Sequence, residues 1–379
     1  MIRYLENKIK EDLPEKIILL SGPRQVGKTT LSKQLVDSFA YLNYDATADR
    51  KIIHNEEWTR EVQLVIFDEL HKIKNWKSRI KGIYDTEGFP PSIIVTGSAR
   101  LDTYKKSGES LAGRYFPFRL HPLTVTEACK DLNADSKSVL ANLLKFGCFP
   151  EPYLKGSETF SKRWRRTHTD IIIREDLLDL EKVRDIKSIE ILIDLIRARV
   201  GAPTSYTSLA NDLQVSVHTV KHWLQILENL YVIFPVHPYH KNITRSILKA
   251  SKYYVYDTGG VDGNIGQRLE NAVACALLRE LHYIEDTTGS KTGLFYLKDK
   301  EQHEVDFLVV IDNKPIIMIE VKTGDDQFSR SLFRFKRYLK NTKAVQVVFD
   351  LKRKKTKETV NMLPAHEFLK DLPLIIHAS

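Results

Sequence analysis

The sequence predicts an α/β protein, and three observations carry that reading. Apolar runs of strand length recur at residues 16–20 (Lys-Ile-Ile-Leu-Leu), 63–67 (Gln-Leu-Val-Ile-Phe) and 92–96 (Ser-Ile-Ile-Val-Thr). A glycine-rich loop follows the first run, and Thr29 to Phe39 then reads as a helix with Leu31, Leu35 and Val36 on one face. Strands that alternate with helices in this way imply a parallel sheet.

The bulk properties bound the rest. A chain of 379 residues is too long for one ordinary core, so two or three domains are expected. Hydrophobic residues at 42% and charged residues at 28% suit a globular chain. No apolar run approaches the roughly 20 residues of a membrane helix, so no membrane partner is expected. The start of the chain lacks the layout of a signal peptide, and Cys129, Cys148 and Cys275 show no metal-ligand spacing. Reduced thiols and a cytoplasmic location are therefore expected. The formal charge of +9 permits nucleic-acid binding without establishing it. Basic runs at 162–166, around Trp164, and at 352–357 read equally as solvated surface or as contacts to a polyanion.

The loop after the first strand spells Gly22, Pro23, Arg24, Gln25, Val26, Gly27, Lys28, Thr29, Thr30. Its Gly-x-x-x-x-Gly-Lys-Thr core sits between a strand and a helix, the context a phosphate-binding loop needs. Glycines let backbone N–H groups face phosphates, and a helix start adds partial positive charge. Lys28 would neutralise the β- and γ-phosphates of ATP, and the Thr29 hydroxyl would hold Mg2+. The second strand ends in Asp68 and Glu69: the first suits the metal, the second the attacking water. Ser98, after the third strand, suits a sensor of the γ-phosphate.

These stretches, with Asn43-Tyr-Asp-Ala, Thr96-Gly-Ser-Ala-Arg and Leu111-Ala-Gly-Arg-Tyr-Phe, resemble the bacterial and archaeal AAA+ ATPase family with an uncharacterised C-terminal region. Tyr253-Tyr-Val-Tyr-Asp-Thr-Gly and Glu304-Val-Asp-Phe-Leu-Val extend the resemblance over nearly the whole chain. It implies a nucleotide-dependent homo-oligomer in which an arginine completes a neighbour's site. Arg114 is the first choice for that arginine and Arg100 the second; a structural salt bridge is the competing reading of each.

Residues 204–235 have the layout of a helix-turn-helix with a wing: a helix from Tyr206, a turn at Gln214-Val-Ser, a helix from Val217 to Leu230, then a strand. Ser216 suits the cap of the second helix. His218, Thr219, Lys221 and His222 lie near its exposed start, where DNA is contacted. A winged helix serving as an interaction module is the rival reading.

The last segment carries Asp306 on one apolar strand and Glu320-Val-Lys322 on the next. A two-residue loop at 312–313 would set Asp306 opposite Ile319; a three-residue loop at 312–314 sets it opposite Glu320, and the second is expected. Carboxylates and an ammonium on apolar strands are costly unless paired or metal-bound. Two acids can hold Mg2+ while the lysine orients water for phosphodiester attack. The spacing resembles a restriction-endonuclease-like core, and Glu270, on the preceding helix, matches an acid that such folds add.

The expected architecture is thus a P-loop AAA+ parallel-sheet core at 1–125, a helical lid at 126–200, a winged helix at 201–258 and a restriction-endonuclease-like α/β domain at 259–379. One functional expectation is an ATPase acting on DNA, with Mg2+-dependent cleavage in the last domain. The other is a non-cleaving ATP-dependent switch that uses the last domain as a platform for DNA or protein.

Overall fold

The computed structural model describes residues 2–98, 111, 113–176, 185–240, 250–324 and 327–377. Its contacts divide the chain into two units, Met1–His121 with Asn229–Tyr231, and Pro122–Glu228 with Val232–Ser379. No helix among the described residues is long and apolar enough to cross a membrane.

The first unit is built on β1 (Ile17–Ser21), β2 (Phe39–Asn43), β3 (Leu64–Asp68), β4 (Ser92–Gly97) and β5 (Tyr115–Arg119). They form one five-stranded sheet in the order β2-β3-β4-β1-β5, every neighbouring pair parallel. The three inner strands are buried throughout, which is why they read as unbroken apolar runs. One face packs Leu19, Phe67 and Val95 against Trp58, Trp76 and Ile80, the last two from α4 (Trp76–Glu87). The Trp58 and Phe67 rings meet edge to face at 5.0 Å. Burial of each such side chain contributes about 1.5–3 kcal/mol.

The remaining helices of this unit are α1 (Glu6–Asp12), α2 (Lys28–Gln34) and α3 (Thr47–Asn55). The expected helix over Thr29 to Phe39 is thus shorter than read: it stops at Gln34, and Phe39 opens β2. The C-cap is Leu35, and the Ser38 backbone N–H donates to Gln63 Oε1 at 3.4 Å as the chain turns into β2. As an edge strand with mostly half-buried residues, β2 lacks the apolar run that marks its neighbours.

The second unit opens with α5 (Val125–Leu132), α6 (Ser136–Phe146), α7 (Pro150–Lys155), α8 (Glu158–Ile171) and α9 (Ile186–Ala198). Part of the 162–166 basic run turns inward on α8. Trp164 stacks on His168 at 4.5 Å, and Arg165 Nε donates to Asp257 Oδ2 at 2.6 Å. Then follow β6 (Pro203–Thr204), α10 (Tyr206–Leu213), α11 (Val217–Asn229), β7 (Ile233–Pro238), β8 (Ser251–Val255) and α12 (Ile265–Thr288). The last elements are β9 (Thr292–Lys298), β10 (Glu304–Ile311), β11 (Lys314–Lys322), α13 (Arg330–Tyr338), β12 (Lys343–Val348), β13 (Lys355–Lys357), β14 (Val360–Pro364) and α14 (Ala365–His377).

All these strands join one sheet, ordered β13-β14-β12-β11-β10-β9-β7-β8-β6. The sequence suggested a boundary at 258. Instead β7 pairs in parallel with β9, His237 beside Phe295, so one sheet runs through that point. The β10–β11 connection also differs from expectation. Its turn has two residues, Asp312 and Asn313, with φ of 47° and 64°, the left-handed pair that suits a tight hairpin. A bulge between Val309 and Val310 then restores the offset, so the register running through Phe307 and Ile319 brings Asp306 opposite Glu320. The pairing is the expected one, reached through a bulge instead of a longer loop.

Candidate functional site

The phosphate-loop geometry begins with Gly22. At φ 149°, a Cβ there would fall 2.3 Å from the Leu120 carbonyl oxygen, so only glycine lets the loop leave β1 beside the chain following β5. Gln25 and Gly27 also adopt positive φ, 59° and 99°, and turn the loop into α2. Lys28 is buried, and its ammonium donates to the carbonyls of Gly22 and Pro23, each at 2.8 Å. The lysine is therefore folded over the loop it serves. Arg24 is half-buried, and Thr30 is exposed.

The tip of β3 meets this loop. Asp68 Oδ2 accepts from Thr29 Oγ1 and from Tyr41 OH, each at 2.8 Å, and Oδ1 accepts a short hydrogen bond from Thr96 Oγ1. Burial, reinforced by the Asp68 carboxylate, holds the Tyr41 phenol above its ordinary range and so keeps it a donor. Glu69 takes a left-handed conformation at φ 57°. Its Oε2 accepts from Ser98 Oγ at 3.4 Å and lies 3.5 Å from His71 Nε2. Burial raises the Glu69 carboxyl, Lys28 pulls it down and Asp68 pushes it up, with a net rise. The structure brings Lys28, Thr29, Asp68, Glu69 and Ser98 together. The Thr29 hydroxyl and Asp68 carboxylate, in direct contact, are a donor set suited to Mg2+.

Three partners escaped the sequence reading. Tyr41 and Thr96 anchor Asp68, and both become legible only once β2 and β4 are seen to flank β3. Arg3 is buried, and its guanidinium donates to Val26 O at 2.7 Å and His121 O at 2.6 Å, bracing the loop from behind. Nothing in its sequence surroundings marks it.

Arg114 lies elsewhere. Its carbonyl accepts from Ile17 N, at the start of the parallel strands, whereas Asp68 ends one. Its guanidinium grips Asp85, Nε to Oδ1 at 2.6 Å and Nη2 to Oδ2 at 3.0 Å. A strand of five residues spans about 16 Å, so Arg114 is outside its own chain's phosphate site. Arg100 falls outside the described residues.

A second cluster lies in the other unit. Glu270 on α12, Asp306 on β10, and Glu320 and Lys322 on β11 come together as expected. Lys252 of β8, which the sequence reading missed, joins them. Its side chain is 1% exposed, and Nζ lies 2.7 Å from Glu304 Oε1, 3.3 Å from Asp306 Oδ1 and 3.4 Å from Glu270 Oε1. Burial works against the ammonium, but Asp306, Glu270 and Glu304 outweigh it and hold Lys252 above its usual range. Tyr254 OH donates to Glu270 Oε1 at 2.7 Å, and Val321 N donates to Asp306 Oδ2 at 2.9 Å. Lys322 pairs with Glu320 Oε1 at 2.8 Å. Burial, then Asp306, raises Glu270 and Glu320 to about 7 each.

Lys252 thus adds an ammonium to the acids expected here. Among the described residues, Asp299, Glu301 and His303 do bring ligand atoms within 4.8 Å of one another; Glu270, Asp306 and Glu320 do not. The Lys252 ammonium lies within 3.4 Å of Glu270 and 3.3 Å of Asp306. The Asp299 group is itself held by Arg334, at 2.6 Å from Asp299 and 2.8 Å from Glu301.

The helix pair α10–α11 carries the expected cap: Ser216 Oγ accepts from Thr219 N at 3.0 Å. Val220, Trp223, Leu224 and Leu227 face inward, and His218, Lys221, His222 and Gln225 are exposed. The strands β7 and β8 that follow pair antiparallel.

Comparison with known proteins places a family match over the N-terminal part of the chain. Residues 14–129 match the AAA domain family. Residues 137–262 match a domain of unknown function (DUF8612), and 265–368 match another (DUF4143). An uncharacterized protein of Methanocaldococcus jannaschii is 26% identical, covering 87% of this chain and 80% of the relative. One of Mycobacterium tuberculosis is 25% identical, covering 83% and 72%, and one of Haemophilus influenzae 24%, covering 74% and 79%. The N-terminal part is thus similar to a class of nucleotide-binding ATPase modules, and its parallel sheet is consistent with a P-loop domain.

Proposed function

We propose that the chain is an ATP hydrolase whose nucleotide cycle works on DNA held by the C-terminal unit. The observation that carries this reading is the contact of the phosphate loop, through Thr29, with the acid-tipped strand at Asp68. In it, the backbone of residues 22–30 faces the phosphates, and Lys28 exchanges its two carbonyl partners for phosphate oxygens. Thr29 and Asp68 would hold Mg2+, which neutralises charge developing on the phosphates. Glu69, oriented by Ser98, takes a proton from the attacking water. Arg114 acts in the site of a neighbouring copy within a nucleotide-dependent homo-oligomer.

For the DNA side, α10 and α11 with the β7–β8 hairpin have the order of a winged helix, and the exposed His218 and Lys221 suit a phosphate backbone. The order α12-β9-β10-β11-α13-β12 supports reading this part as a restriction-endonuclease-like core around Asp306, Glu320 and Lys322. Two of the acids expected to take Mg2+, Glu270 and Asp306, are engaged by Lys252, and Glu320 by Lys322, which supports a platform that does not cleave.

The test is ATP turnover by wild type and Glu69→Gln, with and without DNA, beside fluorescence anisotropy of labelled duplex over a salt series. ATP turnover that depends on Glu69, and DNA binding that weakens with salt, are expected. Absence of adenine-nucleotide binding would overturn the first half, and salt-independent or absent DNA binding the second. Mg2+-dependent plasmid nicking that Asp306→Ala abolishes would replace the platform with a nuclease.

A further inference from the structure

We infer that the Lys252 ammonium is the resident cation of the acidic cluster on β10, β11 and α12, and that this cluster takes no divalent metal. The inference deepens the platform reading and rests on it.

The placement of Lys252 is built rather than incidental. The residue sits on β8, inside the sheet, with side-chain exposure of 1%. Its ammonium meets three carboxylates, and the Tyr296 ring lies 5.5 Å away. Those carboxylates are themselves fixed from other directions. Tyr254 OH holds Glu270 Oε1, the Val321 N–H holds Asp306 Oδ2, and Lys298 pairs with Glu304 Oε2 at 3.1 Å. Gly201 closes over Glu270: at φ 78°, a Cβ there would lie 2.7 Å from both carboxylate oxygens. Five elements therefore converge on one cation, and four of them precede or follow it by many residues, so the site forms only with the sheet.

Charge counting points the same way. The carboxylates of Glu270, Glu304, Asp306 and Glu320 face the ammonium groups of Lys252, Lys298 and Lys322. With all four carboxyls ionised, one negative charge is left over beside Lys252, and two are left without it, the complement of one divalent ion. A metal needs oxygens at about 2.0–2.6 Å. It cannot sit between Glu270 and Asp306 while an ammonium already lies 3.4 and 3.3 Å from them, because two cations would then share one cavity. Glu320 Oε2 is buried without a hydrogen bond, in keeping with a carboxyl that burial and Asp306 raise to about 7.

The experiment is Mn2+ binding by the nucleotide-free full-length chain, read by electron paramagnetic resonance. Wild type and Asp306→Asn are expected to take up Mn2+ identically. Lys252→Met is expected to gain one Mn2+ per chain, and the double variant Lys252→Met/Asp306→Asn to lose it again, with at least a tenfold drop in affinity. Mn2+ uptake by wild type that falls tenfold in Asp306→Asn would overturn the inference. So would a folded Lys252→Met chain that gains no ion. Should Lys252→Met fail to fold, the wild-type and Asp306→Asn comparison decides alone. Plasmid nicking separates the two readings. A wild-type chain that binds Mn2+ through Asp306 without nicking sinks the resident-cation inference and leaves the platform standing.

Discussion

Thr29 Oγ1 donates to Asp68 Oδ2 at 2.8 Å, which ties the first turn of α2 to the last residue of β3. The loop that would hold phosphate and the strand tip that would hold metal are thus one hydrogen-bonded unit. Two substitutions separate their roles. Lys28→Ala removes charge-assisted contacts worth about 1.5–3 kcal/mol each, so nucleotide affinity should fall at least tenfold to a hundredfold. Glu69→Gln should bind nucleotide as wild type does, while hydrolysis slows by about 10²–10⁴. Fluorescent-nucleotide titration and phosphate release measure the two effects. Equal turnover by wild type and Glu69→Gln would remove that acid from its assigned part.

Arg3 should matter beyond its position near the chain start. Arg3→Ala leaves the carbonyls of Val26 and His121 without their guanidinium donor. Each buried carbonyl left unpaired costs about 1–3 kcal/mol. The expected outcome is a lower unfolding midpoint and weaker nucleotide binding, with Arg3→Lys recovering part of both. Unchanged denaturation and nucleotide affinity in Arg3→Ala would contradict the bracing role.

Gly201→Ala should destabilise the second unit. The backbone there is left-handed, and the added methyl would meet the Glu270 carboxylate. Strain at φ 78° alone costs about 1–2 kcal/mol in a non-glycine residue, and displacement of Glu270 adds to it. Urea denaturation checks this, and the double variant Gly201→Ala/Glu270→Ala should recover the part that comes from the carboxylate.

His237 gives a pH dependence with a defined sign. Burial lowers its imidazole below the ordinary 6.5, and Nδ1 lies 2.8 Å from Ser251 Oγ. The unfolded chain therefore takes up its proton at higher pH than the folded one. The His237 contribution to stability is whole above about 6.5, begins to fall below it and is lost as pH drops through the lower value of the folded chain. Denaturation at pH 7.5 and 5.5 should show a smaller acid loss in His237→Gln than in wild type. An equal loss in both chains would remove His237 as the cause.

The sequence made the phosphate loop and the inner strands legible because each is a local pattern. Gly22 to Thr29 is contiguous, and β1, β3 and β4 are buried on both faces. The partners of Asp68 were not legible, since Tyr41 and Thr96 reach it only across the sheet. The same holds for Lys252, separated from Asp306 by 54 residues and joined to it by strand order. The hairpin shows the limit of loop counting. The Asp312-Asn313 turn and the bulge at Val309 each shift the register by one residue, and only together do they set Asp306 opposite Glu320.

The parallel pairing of β7 with β9 has a practical side. A fragment beginning after residue 258 would expose β9 along a raw hydrogen-bonding edge, an invitation to self-association. It would also discard Lys252 and leave its carboxylates facing one another. Any attempt to isolate the acid-bearing portion for biochemistry should therefore start upstream of Pro203, where β6 closes that margin of the sheet.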